Sequence, residues 1–182
     1  LVVTADDDVL YHSLWLEKLI HYAKNYPHYI ICSRARKIRK NIFGLYQNYN
    51  NWNYSSTKNI GYWLLPIGCG GIVYRKRLLD LDILLDPKYK EIAPTNDDLW
   101  FRVSSMKLGV NVVVVPEIDQ ENIYLKHKKG LDRYNIYQYK KDKIIGKLYF
   151  KIYNKIASYL GINLSKNDIA WDEIQKYLHY NF

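Results

Sequence analysis

Cysteine is nearly absent. Cys32 and Cys69 are the only two in 182 residues, which excludes a disulfide framework and is too few for a four-thiolate or mixed zinc site without other ligands. A reducing compartment is the simpler reading. No stretch approaches the ~20 uninterrupted apolar residues of a bilayer-spanning helix. The chain opens Leu1-Val2-Val3-Thr4, with neither an initiating Met nor a signal-peptide pattern. Internal repeats and low-complexity linkers are missing too. What is abundant points the other way: 48% hydrophobic and 15% aromatic residues exclude disorder for most of the chain, and the length suits one domain with a real core.

Charge is unevenly placed. Residues 1–121 hold 15 Lys+Arg and 13 Asp+Glu, whereas residues 122–182 hold 12 and 5. The reading is a catalytic region, 1–121, followed by a basic, mainly helical tail, 122–182. A uniform nucleic-acid-binding domain would not need that asymmetry. The abundance of Lys, Asn, Ile and Tyr also fits an AT-rich coding bias, which by itself raises the basic balance.

Hydrophobic periodicity gives the element order. Residues 1–4 read as a short buried strand that breaks at Ala5-Asp6-Asp7-Asp8. A helix over roughly 13–25 follows, with Ser13 as N-cap and Leu16, Leu19, Ile20 and Ala23 on one face; Tyr26-Pro27 ends it. Tyr29–Cys32 is a second strand. Arg34 and Arg36 alternate along the edge that follows, facing either phosphate or water. Residues 41–61 form a long polar-aromatic loop of the kind that is often functional. Gly68-Cys69-Gly70-Gly71 leads into the strand Ile72–Tyr74, and a short helix spans 78–85. Thr95, with Asp98 three residues on, fits a capping box for a helix over about 97–108, which Gly109 stops. Residues 111–115 form a strand buried on both faces. This alternation predicts an α/β fold with a largely parallel sheet. In the tail, Ile145, Leu148, Ile152, Ile156 and Leu160 form an apolar helical stripe beside Lys147, Lys151 and Lys155, and Ile169, Ile174 and Leu178 mark a last helix. Two readings of the stripe stay open. It lies on an anionic membrane surface, or it packs on the rest of the chain with its lysines in water.

Three features bear on chemistry. The run Asp6-Asp7-Asp8 at a strand end concentrates charge that a cation or hydrogen bonds must offset, at the end of a sheet where α/β folds bind ligands. Hard oxygen ligands there suit Mg²⁺ or Mn²⁺; an exposed acidic turn is the plainer alternative. The Gly68–Gly71 loop permits close backbone approach or a positive φ, and it lacks the lysine of a P-loop. Asp97 and Asp98 open a helix. Asp98 has the capping spacing, which leaves Asp97 the freer group and a candidate general base.

The order strand–DDD–helix, GCGG–strand, NDD–helix–strand resembles bacterial glycosyltransferases of the GT-A fold, the family-2-like enzymes of capsule and lipopolysaccharide synthesis. The resemblance covers about residues 1–117 and rests on Val2–Tyr11, Gly68–Tyr74 and Pro94–Trp100. It implies an α/β GT-A sheet flanked by helices, and transfer of a sugar from a nucleotide-sugar donor to a glycan or lipid-linked acceptor hydroxyl. Asp6 and Asp8 match the DxD carboxylates that hold Mn²⁺ or Mg²⁺ on the diphosphate, with Asp7 between them. Asp97 or Asp98 matches the catalytic base of inverting members, although the usual Glu-Asp is replaced by Asn-Asp-Asp. The resemblance assigns donor or acceptor contacts to Cys69, Gly70, Gly71, Asn96, Trp100 and Arg34. It offers His127 as a third metal ligand, where a solvated loop histidine is the plainer reading. In such enzymes the base pocket is built before the DxD strand, so the expectation is a piece of a longer enzyme or a degenerate remnant. A cytoplasmic location follows, with peripheral contact at the inner face of the membrane through the basic tail, and no nucleic-acid partner. Two competing readings are a metal-dependent nucleic-acid-binding or nuclease-like protein, and a non-catalytic carbohydrate- or membrane-binding remnant using Trp52, Trp63 and Trp100.

Overall fold

The β-branched runs assemble into one five-stranded sheet. The computed structural model describes residues 1–125 and 144–179. The strands are β1 (Val2–Val3), β2 (Val9–Leu10), β3 (Ile30–Cys32), β4 (Ala35–Lys37), β5 (Asn59–Gly61), β6 (Leu64–Pro66), β7 (Ile72–Tyr74), β8 (Val112–Val114) and β9 (Ile123–Tyr124). The main sheet has the order β1-β7-β3-β8-β5. β2 pairs with β9, and β4 with β6, in two small antiparallel ladders.

The fold is α/β as expected, but the sheet is mixed rather than largely parallel. Only β3 and β8 run parallel; β1–β7, β3–β7 and β5–β8 are antiparallel. A period-two pattern sets which side chains face a core and carries no information on strand direction. The expectation of a buried first strand is corrected as well. β1 is an edge strand, with Val2 66% exposed. β3, β7 and β8 are buried throughout.

Helices cover the sheet. α1 (Trp15–Asn25) buries Trp15, Leu19 and Ala23 in a cluster with Ile31, Val73 and Val113. Its N-cap is Leu14, without a side-chain cap bond, not Ser13. His12 does that work, because its carbonyl accepts from Trp15 N–H and its Nδ1 from Leu14 N–H. The short helices α2 (Leu81–Leu84) and α3 (Tyr89–Ile92) precede α4 (Asp97–Lys107). Gly109, at φ +69°, lies in the left-handed region just past the end of α4, where a glycine costs least.

The tail holds α5 (Ile144–Leu160) and α6 (Lys166–Leu178). A Ser165–Asp168 capping box starts α6, and Trp171 and Ile174 enter one core cluster with Trp52, Trp100 and Val103. The loop 41–61 is therefore committed to packing. Asp168 accepts from Tyr49 N–H at 2.6 Å and from Asn48 Nδ2 at 3.4 Å. Asn154 of α5 donates to Asn51 Oδ1 at 2.7 Å, and Ser158 Oγ donates to Asn48 Oδ1. The face of α5 that meets the protein is thus small and polar: Asn154, Ala157 and Ser158 are buried, while Ile152, Ile156 and Leu160 are exposed. Among the described residues, the apolar stripe is not the packed face. No described helix is long and apolar enough to cross a membrane.

Candidate active site

The backbone leaving β1 is fastened to the glycine turn by two side chains. Thr4 Oγ1 accepts from Ile72 N–H at 2.9 Å and donates to Gly68 O at 3.4 Å. The Tyr11 hydroxyl accepts from Asp6 N–H at 2.8 Å and donates to Cys69 O at 3.0 Å. Asp8 is held from the other side, where its carbonyl accepts from Leu125 N–H at 2.9 Å, beside the β2–β9 ladder. The three aspartates therefore sit on a braced turn at the end of β1.

The second aspartate pair arrives on α4. Asn96, not Thr95, is the N-cap residue, and it makes no side-chain cap bond. Asp98 does not close a capping box. Both of its carboxylate oxygens instead accept from the Gly68 amide, at 3.1 and 3.0 Å. That contact crosses 30 residues and joins the start of α4 to the glycine turn. Asp97 is exposed in the first helical turn.

Electrostatics couple the two aspartate groups. Burial, then the charges of Asp8, Asp97 and Asp7, raise the Asp6 carboxyl above its ordinary value. Burial, then Asp97, push Asp98 up to about 7 against the pull of the Gly68 amide, and Asp6 adds to the rise. The basic group at the site is Arg34, whose guanidinium lies over the rings of Tyr124 (4.7 Å) and Tyr54 (4.9 Å). Its Nε is 3.6 Å from Asp119 Oδ2, and its Nη1 is 3.7 Å from Cys69 Sγ. Asp119 also accepts from Tyr124 OH. Negative charge thus exceeds positive charge around this turn. Burial pushes the Cys69 thiol up to about 11 even beside Arg34, so at neutral pH it is a neutral contact rather than a nucleophile.

The Asp98 shift makes stability depend on pH. The folded chain keeps this proton up to about pH 7, whereas a carboxyl at the ordinary 3.8 has lost it. Between those values the folded state binds more protons than the unfolded one. The contribution is fully present below about pH 4 and is lost as pH rises through 7. Asp98→Asn keeps an acceptor for Gly68 N–H and cannot ionise. In urea unfolding with a chelator present, wild type should lose stability from pH 5 to pH 8, while Asp98→Asn stays level and overtakes it. Equal slopes for the two proteins would overturn this assignment.

The glycines have a structural reason to be glycines. A Cβ on Gly70 would fall 2.8 Å from Arg34 Cγ and closer still to Ser33 Oγ; one on Gly71 would enter the Trp15 ring. The Gly70 carbonyl accepts from Trp15 Nε1 at 2.8 Å and from Ser33 Oγ at 2.6 Å. The close approach at these two positions is to the protein's own side chains. Trp100, expected at the ligand, is a core residue. It is 2% exposed, and its indole donates to Ile83 O at 2.9 Å. Trp52 is buried in the same cluster, so of the three tryptophans considered for sugar stacking only Trp63 is exposed. Asn96 is buried and joins Asn167 of α6. Arg36, which alternates with Arg34 along the strand, donates to Trp52 O at 2.9 Å and to Tyr54 OH at 3.1 Å. His127 lies outside the described residues. Tyr11, Thr4, Asp119 and Tyr124 organise the site; Thr4 and Tyr11 lie inside the Val2–Tyr11 stretch, but no motif assigns them or Asp119 and Tyr124 that role. A tyrosine five residues past Asp6 carries no local signal that its hydroxyl bridges to residue 69.

Among the described residues, no three carboxylate, imidazole or thiolate groups are placed to hold a metal ion by themselves. The donors nevertheless fit one mode of binding. A Mg²⁺-like ion commonly takes one or two carboxylates and completes its shell with water and substrate phosphates. Asp6 and Asp8 are carboxylates of the type that such a partial shell takes.

The site is thus a mixed α/β sheet with an aspartate run at a strand end, tied to a glycine turn and faced by a helix-borne aspartate pair. Residues 1–83 match the family model described as glycosyl transferase family 2. The span takes in Asp6–Asp8 and the Gly68–Gly71 turn, and ends before α4. Neither the curated proteins nor the solved structures gave a match.

Proposed function

We propose that this chain provides the catalytic face of a sugar transferase, moving a glycosyl group from a nucleotide-sugar donor to a hydroxyl of a glycan or lipid-linked acceptor. The observation that carries this reading is the meeting of Asp6–Asp8 with Asp97 and Asp98 around the Gly68 turn, through the Asp98–Gly68 bonds and the charge coupling by which Asp97 raises Asp6 and Asp6 raises Asp98. The family match over residues 1–83 supports it.

Asp6 and Asp8 would hold Mg²⁺ or Mn²⁺, which supplies charge neutralisation on the departing diphosphate. Asp97, exposed at the helix start, takes the proton from the acceptor hydroxyl as its oxygen attacks the anomeric carbon. The bond from that carbon to the diphosphate oxygen breaks, and the configuration inverts. Asp98 positions the Gly68 turn and is not the base. Arg34, sandwiched by two tyrosines and oriented by Asp119, faces the region with a fixed guanidinium suited to phosphate oxygens.

Calorimetric titration with UDP, GDP and CMP, each with and without Mn²⁺, tests this reading. The expected result is binding of one nucleotide that depends on the cation and is lost in Asp8→Ala, with the melting curve preserved. Cation-independent binding, or equal binding by Asp8→Ala, would sink the metal assignment.

A further inference from the structure

The turn 41–45 pushes two large apolar side chains into water. Ile42 is 82% exposed and Phe43 70%. The turn is built to hold them there. Asn41 Oδ1 accepts from Phe43 N–H at 2.9 Å and from Leu45 N–H at 3.0 Å, Asn41 N–H donates to Leu45 O at 2.7 Å, and Gly44 takes φ +78°. Asn41 Nδ2 also donates to the carbonyls of Ser158 and Tyr159, which braces the tip on the last turn of α5. Next to it α5 exposes Ile152, Ile156 and Leu160, and Ile162 follows. The tip thus stands at the last turn of α5, a helix whose buried face is polar and whose outward side is apolar.

The two segments that carry this surface hold no acidic residue, and the carboxylates beside it are Asp168 and Asp172 of α6, which line a groove with Leu45 and Ile162. No Asp or Glu occurs from residue 39 to 79 or from 144 to 167, while Arg39, Lys40, Lys155 and Lys166 fall in those segments and are exposed. A second copy of the chain is a poor occupant, because a two-fold pairing of this face would set lysines against lysines. Apolar side chains flanked by cations match a surface that is negative outside and hydrocarbon beneath.

We propose that the Ile42–Phe43 tip and the outward face of α5 dock on an anionic lipid bilayer, lying at its surface without crossing it. The inference rests on these residues alone and is independent of the transferase reading. Sedimentation of the full chain with phosphatidylcholine vesicles, with and without phosphatidylglycerol, tests it. Binding is expected to the anionic vesicles only and to weaken with salt. Phe43→Ser and Ile156→Ser, both at exposed positions, should each lower the partition coefficient roughly tenfold. Lys155→Glu should weaken binding at low salt. Melting curves matching wild type show that the variants are folded. Absence of binding by folded wild type, or equal binding by wild type and both serine variants, would overturn the proposal. So would sedimentation-velocity evidence that this face pairs two copies and that the pair leaves vesicles unbound.

Discussion

Gly71→Ala should remove a large share of the chain's stability. Gly71 sits at φ +98°, a region where a Cβ costs about 1–2 kcal/mol. The new methyl would also lie inside the Trp15 ring and 2.9 Å from Leu19 Cδ1, and overpacking of this kind costs about 1–3 kcal/mol more. Trp15 cannot easily yield, because its indole nitrogen is bonded to Gly70 O and its ring stacks near Tyr11, with centroids 4.1 Å apart. A combined loss of roughly 2–5 kcal/mol is large against the ~5–15 kcal/mol typical of a domain. Gly44→Ala is the control. Its φ is +78°, but a Cβ there meets nothing within 4 Å, so only the backbone cost remains. Urea midpoints of the three proteins decide the matter. A Gly71→Ala midpoint no lower than that of Gly44→Ala would show that the Trp15 contact is not rigid.

The second large effect concerns catalysis. Under the transferase reading, Asp97→Asn should lower turnover by about 10²–10⁴-fold, the usual range for a positioned general base. Cation-dependent nucleotide binding should persist, since Asp97 is exposed at the start of α4 and its replacement leaves the Asp98–Gly68 bonds intact. Asp8→Ala should lose both binding and turnover, so the pair of variants separates cation holding from proton removal. Transfer assays with the donor named by the nucleotide titration provide the readout. Full turnover by Asp97→Asn with a large loss in Asp98→Asn would exchange the roles of the two residues.

Much of the element order was legible in the residues. The apolar periodicity of 15–25, the helix opened at the Thr95–Asp98 spacing, the buried runs at 30–32, 72–74 and 112–114, and the stop at Gly109 appear where the pattern puts them. These are local signals, generated by side chains a few positions apart. Local spacing misled where a distant group competed. Asp98 has capping spacing from Thr95, yet it meets the Gly68 amide and takes that instead. Trp100 beside an aspartate pair reads as a ligand platform, but α4 is buried on several sides and the indole turns into the core. The stripe on α5 reads as a packing face only if its partner is apolar. The facing loop is rich in asparagine, and amides at 48 and 51 pair with Asn154 and Ser158 instead.

From sequence alone came the α/β class, the aspartate run at a strand end, the glycine turn, the aspartate pair at a helix start and the basic tail. Each is written in consecutive residues or in a short period. Strand direction, the Tyr11 bridge between residues 6 and 69, the Arg34–Asp119 pair, the burial of Trp52 and Trp100 and the outward apolar face of α5 were decided by the tertiary structure. Each joins groups tens of residues apart. Which of them meet depends on how the sheet twists and what the helices find opposite them, and neither is encoded in the spacing of neighbours.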